Sequence, residues 1–283
     1  MILIADSGST KCDWAHLSNE GVIKKFQSTG LNPSVQTEEH MRSVLSQIDD
    51  FAGLHEGVKE VYIYSSGCAT HSHKHLLKNL LQEQFKSAEI IRAENDLFGA
   101  ARACLGNEEG LVAILGTGSN AAYFTGDKLI HNTPALGFCL GDEGGGSNIG
   151  KALIKKYLYN KFPEELKREF QAVFPYTKDE VIYKVYKEER PNAFLASVMP
   201  FVVSHREDSL VAGIIQESIC AFIDNHLSSY SDHREVHFVG SVAVYLKEEL
   251  ESCLQNKGFG LGNIVHQPID LIIDYHKNTV LKQ

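Results

Sequence analysis

Met1 to Ala5 is an apolar run that ends in Asp6-Ser-Gly-Ser-Thr10, and from Lys11 to Leu17 polar and apolar residues alternate. A period of two lays one side of a strand on a core, so the pair predicts a hairpin closed by a small-residue turn. Leu111 to Leu115, Gly116-Thr-Gly-Ser119 and Asn120 to Phe124 repeat the design, with a further turn at Gly126-Asp127. A second echo follows in register. Glu60 to Gly67 and Glu235 to Val242 are both β-branched and aromatic runs that end in a small-residue turn before a helical pattern. Two pairs of echoes predict an internal duplication, each half a sheet with helices, and function in a cleft between them.

Helices are expected to fill the rest. Met41, Val44, Leu45, Ile48 and Phe51 keep helical spacing behind Thr37, with Glu38 and Glu39 in the first turn. Leu76, Leu77, Leu80, Leu81 and Phe85 form a second stripe, and a helix is expected from about Asn148. From Gly150 to Tyr230 the pattern is almost wholly helical, with a capping box at Thr177 to Glu180 and a stripe from Val211 to Ile223. This insert makes the second half the larger, and the boundary falls near Gly106 to Gly110. The expected domains are 1–108 with 269–283, and 109–268.

Composition narrows the class. The chain has 283 residues, 27 basic and 36 acidic, so its net charge is −9. That excess repels phosphate backbones and anionic lipid, which argues against nucleic acid and membrane surfaces as partners. MILIADSGST is too short for a signal segment and lacks a basic start, and no apolar run is long enough to span a membrane. The six cysteines stand singly without a CxxC pair, as in a reduced, cytoplasmic enzyme.

The two glycine turns could offer backbone amides and hydroxyls to phosphate oxygens, although neither is a GxxxxGK[ST] loop. Either alone also reads as a tight hairpin turn. In order along the chain, ADSGSTKCDW, AENDLFGAARA, LGTGSN, GDEGGGSNIG and FVGSVA resemble the phosphate-1, connect-1, phosphate-2, sugar-loop and adenosine motifs of the sugar kinase, actin and heat-shock chaperone superfamily. Within it the chain is similar to the N-acetylglucosamine kinases and BadF/BadG/BcrA/BcrD-type ATPases. The resemblance implies an α/β fold of two ribonuclease-H-like, actin-like ATPase domains flanking an ATP and sugar cleft. It also implies ATP and Mg²⁺ as cofactors, and a C-terminal segment from Ile269 to Val280 that packs back on the first domain.

Carried over residue by residue, the resemblance puts Gly8, Ser9, Thr10, Lys11, Gly116, Thr117 and Gly118 on the phosphates and Gly240 and Ser241 against the adenosine. Asp6 would organise Mg²⁺, which suits a carboxylate with waters and substrate phosphate; an Asx-turn is the other reading of Asp6, and a surface lysine that of Lys11. Asp96 is the expected general base, since phosphorylating a hydroxyl needs an acceptor for its proton. Asn95 or Asp96 could instead cap the following helix. Asp142 is expected on the sugar hydroxyls and is the rival base; Asn32, Thr117 and Asp96 complete the sugar set, although Asn32-Pro33 is also a turn signal. His71, His73 and His75 read as a solvated helix start rather than a zinc site.

The activity implied is ATP-dependent phosphorylation of an amino sugar, N-acetylglucosamine or a related N-acetylhexosamine, by a cytoplasmic enzyme that could be a homodimer. Pro134-Ala-Leu136-Gly137 replaces the Gly-Gly-Trp-Gly stretch that precedes GDEG in the N-acetylglucosamine kinases, which leaves the sugar open. One alternative is an ATPase that activates a partner enzyme through an iron–sulfur cluster, but Cys104 and Cys139 lack flanking glycine motifs. The other is a non-catalytic nucleotide or sugar sensor, against which the retention of Asp6, Asp96 and Asp142 counts.

Overall fold

A computed structural model describes all residues except 9, 19–20, 52, 55–56, 132, 231–232 and 280–283. The expectations for Ser9 and for the end of the C-terminal segment at Val280 therefore lie outside the described residues. The chain divides into two compact units: Met1–Glu108 with Gly126–Lys128 and Gln267–Gln283, and Glu109–Thr125 with Leu129–His266.

The first unit holds strands β1 (Ile2–Ser7), β2 (Lys11–Ser18), β3 (Gly21–Thr29), β4 (Glu60–Ser65) and β5 (Ile90–Asn95), in the sheet order β3-β2-β1-β4-β5. β1, β2 and β3 form an antiparallel meander, and β4 and β5 extend the sheet parallel to β1. The β1–β2 register runs from Ile2 opposite Leu17 to Ser7 opposite Cys12, so Asp6 faces Asp13. Alternation then sorts the two faces. Leu3, Ala5, Cys12 and Trp14 enter a core with Met41, Leu45, Leu77 and Leu81, from helices Glu38–Ser46 and His71–Gln84. Ile2, Ile4, Ala15 and Leu17 pack under Ile269, Ile272 and Ile273 of the C-terminal helix Ile269–Thr279.

The second unit repeats this plan. Strands β6 (Gly110–Leu115), β7 (Ser119–Phe124), β8 (Leu129–Ile130), β9 (Glu235–Val239) and β10 (Gly260–Val265) lie in the order β10-β9-β6-β7-β8, with β6, β9 and β10 parallel. Reading β6 for β1 and β9 for β4 makes the two topologies the same. Between β8 and β9 the chain is helical, and its largest core gathers Phe170, Phe201, Ile215, Ile219 and Phe222 against Leu115 and Phe238. The capping box forms at Thr177 and Glu180. Among the described residues no helix is long and apolar enough to cross a membrane.

Three expectations need correction. Helices do not fill the rest, because β3, β5, β8 and β10 are strands. β3 is an edge strand with most side chains exposed, including Lys24 and Lys25, so no apolar alternation marks it. The first helical stripe breaks at Ser46, and Phe51 reaches the core from a separate 3₁₀ turn, Asp49–Phe51, where its ring meets those of Trp14 and Phe85 edge-on. The helix expected from Asn148 begins at Gly146.

Candidate active site

In the first unit the chemistry gathers at the carboxyl ends of the parallel strands, the edge where open α/β sheets bind ligands. Asp6 is the penultimate residue of β1, Ser66 follows β4, and Asp96 follows β5. Asn95 caps the helix Asp96–Leu105 by accepting the Leu97 N–H at 3.0 Å. Asp96 is therefore not the cap: its Oδ2 accepts the Ser66 hydroxyl at 2.5 Å and its Oδ1 accepts the Leu97 N–H at 2.9 Å. Burial pushes its carboxyl above the ordinary range, and the bonds from Ser66 and Leu97 pull part of the way back. Asp6 is pushed up to about 7, by burial first and then by the negative charges of Asp96 and Asp13, against the opposing charge of Lys11. Lys11 Nζ lies 2.9 Å from Asp13 Oδ2.

The loop after β3 is pinned to the same edge. Ser7 Oγ and Ser65 Oγ both donate to the Leu31 carbonyl, at 3.1 and 2.6 Å. The adjoining Asn32 is 6% exposed, and its Oδ1 accepts the Ser34 N–H and hydroxyl at 3.0 and 2.7 Å, an Asx-turn arrangement. In the β1–β2 turn the Gly8 N–H donates to the Lys11 carbonyl, and the Thr10 carbonyl accepts from Gly30.

In the second unit the turn after β6 and the loop Gly141–Gly145 interlock. The Gly116 and Thr117 carbonyls accept the N–H groups of Gly146 and Ser147, each at 2.8 Å. Those are the first amides of helix Gly146–Leu158, so the positive end of this helix holds the turn's carbonyls. Asp142 adopts φ of 56°, and its Oδ1 accepts the Ser119 N–H at 3.4 Å. A Cβ on Gly118 would stand 2.7 Å from Asp142 Oδ2, so only glycine lets the carboxylate lie against this turn. Burial raises the Asp142 carboxyl, the Ser119 amide opposes that, and the Glu143 charge reinforces it. After β9, Gly240 has φ of 125°, and a Cβ there would lie 2.3 Å from the Leu115 carbonyl oxygen. This glycine brings the start of helix Ser241–Tyr245 against the end of β6.

Ser66, which meets Asp96 across 30 residues, is not among the expected site residues. Its one mark is its place in the turn after β4, the counterpart of Gly240-Ser241 after β9. Among the described residues no group of three or more His, Cys, Asp or Glu side chains is arranged to hold a metal. The donor set still fits Mg²⁺, because carboxylates close enough to oppose one another's ionisation are relieved by a cation, and this ion needs only one or two of them. His73 Nδ1 is spent on the Gly67 carbonyl, 2.8 Å away.

A five-stranded sheet of this order used twice, with acidic residues and glycine turns at its carboxyl ends, is the architecture of the two-domain sugar kinases and actin-like ATPases. The chain belongs to the family of a candidate N-acetylglucosamine kinase from Porphyromonas gingivalis, to which it is 34% identical over 99% of both chains with a TM-score of 0.92. A candidate N-acetylglucosamine kinase from Chromobacterium violaceum shares the fold at 15% identity, covering 97% of this chain and 98% of that one, with a TM-score of 0.70. A ROK-family glucokinase from Streptomyces griseus, solved with glucose and AMPPNP, shares it at 14% identity over 100% and 99% of the two chains, with a TM-score of 0.58. No protein-family model and no curated protein matches the sequence.

Proposed function

We propose that this chain transfers the γ-phosphoryl group of ATP to a hydroxyl of N-acetylglucosamine or a related N-acetylhexosamine. The observation that carries the reading is Asp96: a half-buried carboxylate after β5, held by the Ser66 hydroxyl and the Leu97 amide and raised above its ordinary range, whose helix is capped by its neighbour Asn95. A base of raised pKa is better matched to a proton taken near neutral pH. Asp96 accepts the proton of the sugar hydroxyl as that oxygen bonds to the γ-phosphorus and the bond to the β–γ bridging oxygen breaks, releasing ADP. Ser66 and the Leu97 amide fix the orientation of the carboxylate.

Asp142 accepts from the sugar hydroxyls, with Asn32 and Thr117 as further contacts. The turns at Gly8–Lys11 and Gly116–Gly118 and the Gly240-Ser241 pair are assigned to the nucleotide. Because the Gly8 N–H donates to Lys11, phosphate binding at that turn falls to the other groups of the turn. Asp6 would hold Mg²⁺, which when bound neutralises charge on the transferring phosphoryl group. The reading carries with it a cytoplasmic setting, where ATP is abundant and single thiols stay reduced.

ADP release from purified protein with ATP and Mg²⁺, across hexoses, amino sugars and their N-acetyl forms against a sugar-free blank, tests the proposal. Stimulation by one N-acetylhexosamine is expected. A rate that no sugar changes would overturn it.

A further inference from the structure

Asp142 holds a left-handed backbone conformation, unusual for a residue with a side chain and costing about 1–2 kcal/mol. Such a conformation persists where its surroundings over-determine it. Two polar side chains do so here, Ser218 buried and Asn148 half-buried. Ser218 sits on helix Ser209–Phe222 and is 5% exposed. Its hydroxyl accepts the Gly144 N–H at 2.9 Å and donates to Asn148 Oδ1 at 2.8 Å. Asn148 Nδ2 in turn donates to the Gly141 carbonyl at 3.2 Å. The relay closes on both sides of Asp142 and Glu143, joining the residue before the pair to the residue after it.

The same helix supplies a second hold. Beyond Phe222 it runs into a π-helical turn, Ile223–Leu227. From there Asn225 Nδ2 donates to Glu143 Oε1 at 3.2 Å, and His226 Nε2 lies 3.5 Å from Glu143 Oε2. Ser218 and Phe222 fall on one face of the helix, four residues apart. A Cβ on Gly144 would stand 3.0 Å from Phe222 Cβ, so the loop is seated closely on that face. Apolar packing explains Phe222, but it does not explain a hydroxyl and an amide whose bonds bracket Asp142.

We infer that Ser218, acting through Asn148, is a positioning residue that fixes Asp142 for its contact with the sugar; the inference rests on the role proposed for Asp142 above. Small displacements of a positioned group cost one to two orders of magnitude in rate. Removing the hydroxyl frees both ends of the relay, so sugar recognition should suffer while ATP recognition does not.

The test is a double-mutant cycle on Ser218→Ala and Asp142→Asn, with N-acetylglucosamine, or whichever sugar of the panel the wild type turns over best, as the probe. Ser218→Ala is expected to lower kcat/KM for the sugar by roughly 10- to 100-fold with KM for ATP unchanged. Ser218→Thr, which keeps a hydroxyl, should recover most of the loss. In the Asp142→Asn background Ser218→Ala should add little, because its effect runs through Asp142. An equal loss in both backgrounds, or sugar kinetics unmoved by Ser218→Ala, overturns the positioning role. Should Ser218→Ala fail to fold, Asn148→Ala enters the same cycle under the same criteria. If Asp142→Asn itself leaves sugar kinetics unchanged, the role of Asp142 falls and the inference falls with it; if only Ser218→Ala is silent, the role of Asp142 stands.

Discussion

The Ser66 hydroxyl donates to Asp96 Oδ2 at 2.5 Å, and it is the foremost of the interactions that oppose the effect of burial on this carboxylate. Ser66→Ala should therefore raise the Asp96 pKa further. A base works deprotonated, so activity is lost as pH falls through its pKa, and a higher pKa moves that loss to higher pH. The acid limb of the pH–kcat profile should move to higher pH, and a limb that stays in place would put the base elsewhere.

Asp96→Asn separates catalysis from folding. Asn95 retains the cap bond to Leu97, so the melting temperature should stay close to that of the wild type. Turnover should fall by about 10²- to 10⁴-fold, the usual worth of general base help. Steady-state kinetics beside a thermal melt decide it, and a variant that keeps most of its turnover would pass the role to Asp142.

Gly118→Ala places a methyl 2.7 Å from Asp142 Oδ2 and 2.9 Å from its Cγ. The carboxylate must withdraw from the turn, and kcat/KM for the sugar should drop by roughly 10- to 100-fold. Gly116→Ala adds a Cβ that meets nothing within 4 Å, so its thermal midpoint serves as the reference for adding a methyl to this turn without a clash. Equal sugar kinetics for Gly118→Ala and wild type would show that Asp142 does not need its place against Gly118.

Much of the fold was legible because the hairpins of β1–β2 and β6–β7 are local: an apolar run, a small-residue turn and a returning alternation lie within 20 residues or so of one another. The strands that escaped lack that signature. β8 has two residues, β10 carries Gly260 and Gly262 and a break in its pairing between Leu261 and Ile264, and β3 turns most of its side chains to solvent. Asp6, Asp96 and Asp142 stand out in the sequence as candidates because each lies in a recognisable motif. Ser66 and Ser218 do not, since their meaning comes from partners 30 and 70 to 74 residues away, and single serines carry no periodic signal.

The C-terminal helix should make the first unit acid-sensitive. His276 is buried, its Nε2 meets the Tyr64 hydroxyl at 3.0 Å, and its ring lies 4.2 Å from that of Tyr62. Burial, with Arg102 and Arg92 adding positive charge, lowers its pKa to about 4. In the unfolded chain a histidine titrates near 6.5, so between about 6.5 and 4 the unfolded state binds more protons than the folded one. Stability is then complete above pH 6.5 and is lost progressively as pH falls toward 4, by about 3 kcal/mol for this one group. His276→Gln, which keeps a polar group for Tyr64, should flatten that part of the curve while lowering stability at neutral pH. Urea unfolding at a series of pH values measures both effects, and a variant as acid-sensitive as the wild type over this window would assign the loss to other groups.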